Sequence, residues 1–194
     1  MTSTSAVRER ILNHGFGIAS AQGLHALSMG EVARELSVSK SGLIAHFASN
    51  ESLQLGVLEQ AATMFQRDVG DAATGAGEER VRALFVRWIA WSRAPHLRGG
   101  CPFVHASAEA DTLAPEVRAY LKQILDQWSQ VLAGAIDEAK ATTFRADIDS
   151  AQLVFELYGL YLSHHFWHWS MRDQTAYSRT MKAFDRLIAT ARRA

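Results

Sequence analysis

The run Ser28–Leu53, SMGEVARELSVSKSGLIAHFASNESL, leaves this chain few folds to choose from. Ser28 and Glu31 stand at the Ser-x-x-Glu spacing of a capping box, which satisfies free amides at a helix start. Val32 and Leu36 then lie one turn apart on one face, as an amphipathic helix requires. Ser37-Val38-Ser39 breaks the pattern: Val38 plugs the gap between two helices and Ser39 caps the second. Leu43 and Phe47 repeat the one-turn spacing, and Ser49-Asn50-Glu51 supplies a further cap with an acid in its first turn. Two short helices packed through so few apolar residues leave the outer face of the second one free. The pattern is a helix-turn-helix followed at once by a long helix, and in such a motif the second helix enters the major groove of DNA.

The rest of the chain reads as helix too. Its three prolines, at 95, 102 and 115, are confined to one stretch, and no strand-like alternation is sustained. The spacing predicts helices near 5–22, 28–36, 40–47, 50–70, 78–94, 102–110, 115–140, from 147 onward, and 175–192. Asp71–Gly77, DAATGAG, is a turn-forming linker. Pro115 stands as a first-turn proline with Glu116 beside it. The expected architecture is all-α: an N-terminal three-helix DNA-binding domain over residues 1–50, a connecting long helix over 51–70, and a C-terminal helical bundle over 71–194.

Composition narrows the classes. A mean hydropathy of −0.07 with 48% hydrophobic residues describes a globular chain, and no run has the roughly 18 apolar residues of a membrane span. MTSTSAVRER lacks the apolar stretch of a secretory signal, and the lone Cys101 fits a reducing compartment, so a cytoplasmic location is expected. Charge runs against nucleic-acid binding: 20 basic residues balance 20 acidic ones. Residues 1–50 carry Arg8, Arg10, Arg34 and Lys40 against Glu9, Glu31 and Glu35, a net +1. Since non-specific affinity comes from neutralised phosphates, a domain this neutral binds weakly as a monomer and gains from doubling.

Arg8 to Leu58 resembles the DNA-binding domain of the tetracycline-repressor (TetR) family of bacterial transcription regulators. The resemblance is carried by Ile11-Leu12, Gly23, Val32-Ala33, the run Ser37–Leu43, His46-Phe47, Glu51 and Leu53. It implies that Ser39–His46 is the recognition helix, with Ser39, Lys40, Ser41, Gly42, Ala45 and His46 as DNA-binding residues. Ser28, at a helix N-terminus where free amides and the helix dipole converge, suits a phosphate. Lys40 suits guanine O6/N7 or a phosphate; His46 either donates to a phosphate or packs beside Phe47. The chain departs from the family at Ile44, where an aromatic is usual, and at Asn50, where lysine is usual; both usual residues touch phosphate. His14-Gly15 stands where small alanines are usual.

The resemblance further implies a small-molecule effector bound in the C-terminal domain. Trp88, Phe103, His105, Tyr120, Trp128 and Tyr158 combine apolar walls with a few polar groups, as a pocket does. Aromatics at helical spacing are more often core residues. With few charges in these stripes, a largely apolar or aromatic effector is expected.

The helix after Asp147 is apolar nearly all round, with Val154, Phe155, Leu157, Tyr158, Leu160, Tyr161, Leu162, Phe166 and Trp167. Such a helix covers its own core and something else. A second copy is the simplest partner, and the family pairs its last two helices in the same way. The expected homodimer interface is Tyr161, Leu162, His165, Trp169, Met181, Phe184 and Ile188.

Other constellations read as structural. Cys101 follows two glycines at a helix start, where a thiolate is stabilised, but buried free cysteine is the common case. His164 and His168 lie one turn apart without a third ligand, so no metal site is expected. No phosphate loop, nucleophile elbow or HExxH motif is present, and neither catalytic residues nor a cofactor are expected. The reading is a DNA-binding regulator, in the repressor sense, released from a palindromic double-stranded operator by its effector, with no membrane partner. The alternative is a ligand- or partner-binding dimer of the same fold with little DNA affinity.

Overall fold

The computed structural model describes residues 4–193. Among them lie nine α-helices: α1 (Thr4–Gln22), α2 (Met29–Leu36), α3 (Lys40–Ile44), α4 (Asn50–Phe65), α5 (Glu78–Ser92), α6 (Pro102–Ala108), α7 (Pro115–Lys140), α8 (Ser150–His165) and α9 (Ala176–Ala191). Helix α4 continues into a π-helical turn, Gln66–Asp71, and α8 into another, Phe166–Ser170; a 3₁₀ turn, Ala110–Thr112, follows α6. The described residues form no strand, only an isolated bridge between Phe144 and Arg192. The chain divides into two compact units, one of residues up to Met64 with Pro95–Ile124, the other of Phe65–Ala94 with the residues from Leu125 on.

In the first unit the apolar periodicity becomes a core of Ile11, Phe16, Leu24, Leu27, Val32, Leu43, Phe47, Leu53 and Val57. Gly15 is needed where α1 crosses α4: a Cβ there would stand 2.7 Å from the Val57 side chain. Beside it, His14 Nε2 meets Glu35 Oε2 at 2.6 Å, tying α1 to α2. Ser37 ends α2 in the left-handed conformation (φ 54°), and the Val38 amide returns to the Ala33 carbonyl at 3.0 Å, closing the turn.

The second unit is built on aromatic stacking. Phe85 lies flat on Phe184 with centroids 4.5 Å apart, and Trp88 on Tyr161 at 4.1 Å. Phe65 stands edge-on to both Trp91 and Trp128. Such pairs contribute about 0.5–1.5 kcal/mol each beyond area burial. Asp149 caps α8, accepting from the Ala151 and Gln152 amides at 2.9 and 3.2 Å. The helix therefore opens three residues later than the acidic run alone suggests. Glu78, which starts α5, pairs with Arg192 just beyond α9.

Candidate functional site

Helix α3 is one and a half turns long, and only its inner side is anchored. Leu43 is fully buried and Phe47, just beyond the helix, nearly so. Ser39 caps the helix, its Oγ accepting from the Gly42 amide at 3.0 Å. Lys40, Ser41, Gly42, Ile44 and Ala45 are exposed, and His46 is half-buried. Ile44, at 51% exposure, is a large apolar side chain kept in solvent on this face.

Ser28 accepts from the Glu31 amide at 3.2 Å, one half of the expected capping box. The other half is absent, because the Glu31 carboxylate turns to Arg34 at 3.1 Å. Asn50 takes over: its Oδ1 accepts from the Met29 amide at 2.9 Å and so fastens the start of α2 to the start of α4. Its sequence position signals a cap for α4; the helix it serves is α2. Helix α4 is instead started by Ser49, which exchanges amide–hydroxyl bonds with Ser52 at 3.0 and 3.2 Å. The Ser49 side chain and the backbone amide of Glu51 hold the Glu51 carboxyl below its ordinary range.

The six aromatic and histidine residues expected around an effector fall in different units. Trp88, Trp128 and Tyr158 come together in the second: Trp88 stands 5.3 Å from Trp128 and 4.7 Å from Tyr158. Trp128 is buried, yet its Nε1 meets no hydrogen-bond partner. Phe103, His105 and Tyr120 belong to the first unit. Phe103 is buried, His105 Nε2 lies 3.2 Å from the Gly99 carbonyl, and burial, reinforced by Glu59, raises the Tyr120 hydroxyl pKa.

Of the residues expected at a dimer interface, Leu162 is exposed at 47% and Met181 is half-buried. Tyr161, Phe184 and Ile188 are packed inside the protomer, and His165 is buried at 8% exposure. Trp169 Nε1 donates to the Ser92 carbonyl at 2.8 Å. The sequence reasoning missed Phe155 and Phe166 as outward residues; with Leu162 they are 73, 51 and 47% exposed. Their spacing of seven, then four residues places them on one side of α8, with Gly159 open to solvent between them. A shallow groove of about 440 Å³ adjoins Phe155, lined by Ser129, Gln130, Ala133, Ala151, Val154 and Tyr158.

Cys101 is buried at the start of α6. His164 stacks on His168 with centroids 5.5 Å apart. Among the described residues no group of three or more His, Cys, Asp or Glu side chains is placed to hold a metal ion, and no helix is long and apolar enough to cross a membrane.

A capped turn, a short second helix with its outer side bare, and a helical C-terminal region define a helix-turn-helix transcriptional regulator. The chain belongs to the TetR family: residues 11–56 match the family model "Bacterial regulatory proteins, tetR family", and residues 77–184 match "Tetracyclin repressor-like, C-terminal domain". It is 25% identical to the HTH-type transcriptional regulator RutR of Escherichia coli K12, over 96% of this chain and 90% of RutR. A TetR transcriptional regulator from Chloroflexus aurantiacus shares the fold with a TM-score of 0.89 at 19% identity, over the whole of both chains. A regulator from Saccharomonospora viridis, solved in complex with choline, has a TM-score of 0.77 at 24% identity, covering 95% of this chain and 96% of its own.

Proposed function

We propose that this regulator is a cytoplasmic homodimeric repressor that binds a palindromic operator and leaves it when a small, largely apolar or aromatic effector binds. The observation that carries the reading is α3, anchored on one side by Leu43 while Lys40, Ser41, Gly42 and Ala45 are free to meet base edges. Ser39 and His46 bound that surface, and Ser28, at the start of α2, is assigned to a phosphate. Two copies would set their recognition helices about 34–36 Å apart, in successive major grooves. Residues 1–50 act as the DNA-binding domain, 51–70 as the connecting helix, and 71–194 as the effector and dimerisation domain.

The effector site is assigned to Trp88, Trp128 and Tyr158, which come together in the second unit. The buried Trp128 N–H supports this assignment, since a buried donor without an acceptor costs stability unless something else satisfies it. The dimer face is assigned to the outward side of α8 around Leu162, with Tyr161, His165, Trp169, Met181, Phe184 and Ile188 on and behind it.

The test is fluorescence anisotropy with DNA selected by the protein from a random-sequence library, in a salt series, for the wild type and Lys40→Ala. Tight, sequence-dependent binding that Lys40→Ala weakens about tenfold is expected. If Lys40 meets a phosphate in each protomer, the salt slope falls by about 1.8, or about 0.9 per phosphate. Weak binding, equal for every sequence and untouched by the substitution, would assign the chain to the alternative role, a ligand- or partner-binding dimer with little DNA affinity. Ile44 and the Asn50–Met29 contact, which replace two usual phosphate anchors, favour that alternative.

A further inference from the structure

The loop between α1 and α2 is gripped from outside the helix-turn-helix. Glu109, at the end of α6, places its Oε2 2.8 Å from the Leu24 amide and 3.3 Å from the His25 amide. From the other side, the Gln54 side-chain amide of α4 donates to the Leu24 carbonyl at 2.9 Å. Leu24 is itself fully buried, and its two bonds, to Glu109 and to Gln54, are part-buried, while the bond to the His25 amide is exposed. Gly23 makes the approach possible: its φ is 87°, and a Cβ there would fall 1.9 Å from Glu109 Oε1. Three residues along the 3₁₀ turn, the Thr112 hydroxyl meets the His25 ring. All of these residues belong to the first compact unit.

We propose that Glu109 is a positioning residue for DNA binding: with Gln54 it clamps the Leu24 backbone from both sides and so fixes how α2 and α3 are presented. The proposal rests on α3 being the recognition helix. Leu24 lies four residues before the cap of α2, and the Leu27 amide bonds back to the Leu24 carbonyl at 3.0 Å. Any shift of this loop is therefore passed to α2 through a short, hydrogen-bonded connection. Glu109 and Gln54 reach it from α6 and α4, so a displacement of either relative to the other pulls on one backbone segment. Glu109 lies in the segment Pro95–Ile124, which groups with the N-terminal helices, where α6 packs on α1.

The test compares Glu109→Ala, Glu109→Gln and Thr112→Val in the full chain. Amide hydrogen exchange, thermal unfolding and anisotropy on the library-selected DNA are measured for each. In Glu109→Ala, exchange at Leu24, His25 and through α2–α3 accelerates at least about tenfold while α8 and α9 stay unchanged. Affinity for the selected DNA falls by about tenfold, within the usual range of coupling between sites. Glu109→Gln, which keeps an acceptor oxygen, recovers most of both losses, and Thr112→Val gives a smaller change in the same direction. A merely structural role would accelerate exchange throughout or lower only the unfolding midpoint, and that result overturns the proposal. So does unchanged exchange at Leu24 and His25. Failure of the wild type to select any DNA would instead sink the recognition-helix reading, while the exchange data still decide whether the clamp exists.

Discussion

His164 shows what only packing decides at a single position. Read from its spacing to His168 as a structural residue, it proves fully buried, with neither ring nitrogen in hydrogen-bonding geometry. Burial first, and the neighbouring His168 second, push its pKa from the ordinary 6.5 down to about 4. The native chain therefore refuses a proton that the unfolded chain accepts as the pH falls below 6.5. Stability from this residue is complete above that pH and is lost on acidification, by about 3 kcal/mol at most once the folded pKa is reached. His164→Phe is expected to flatten much of this acid limb, measured as the difference in urea unfolding free energy between neutral and mildly acidic buffer. An equally steep limb in the variant would place the proton uptake elsewhere. Asn50 carries the same lesson: asparagine at a helix start is legible as a cap, but its bond to Met29 arises only when α2 and α4 meet.

Elements were the most legible scale. The capping signals and one-turn spacings placed α2, α7 and α9 to within a residue or so, because caps and amphipathic faces are local properties. The ends of α4 and α8 were less legible: both pass into π-helical turns, which no cap or breaker announces. Helix α8 reads as apolar nearly all round, but periodicity does not say which side faces inward. The structure turns Tyr161 onto Trp88 and leaves Phe155, Leu162 and Phe166 outward. An outward stripe of this size, with Gly159 free of steric obstruction, is suited to a second copy of the same helix. Leu162→Asp is expected to weaken self-association by about 2 kcal/mol or more, seen as monomer by light scattering at concentrations where the wild type is paired. Helical content by circular dichroism should stay unchanged, since Leu162 is 47% exposed and outside the buried core. A Leu162→Asp chain that remains paired would move the interface off α8.

For the molecule as a whole, the sequence order and the contact order disagree. The chain passes between its two compact units after Met64, Ala94 and Ile124, so the segment carrying α6 lies in the C-terminal half by sequence and in the N-terminal unit by contact. Charge does not supply the missing affinity for DNA, because acidic and basic residues balance. Shape and pairing must do so, which makes binding sensitive to anything that displaces the recognition helices. If an effector weakens operator binding by some factor, operator DNA must weaken effector binding by the same factor. Titrating an effector found by thermal-shift screening into free and DNA-bound protein checks this; unequal factors at equilibrium would show that the two ligands do not share one conformational change.

The sequence by itself determined the helices, the turn between α2 and α3, and the face of α3 left exposed. Each follows from caps, breakers and apolar spacing within a few residues. Only the tertiary structure decided that Glu109 grips the Leu24 backbone, that Asn50 serves α2, and which side of α8 is bare. Those outcomes depend on residues 21 to 85 positions apart being brought together by packing, and local pattern carries no record of such distances.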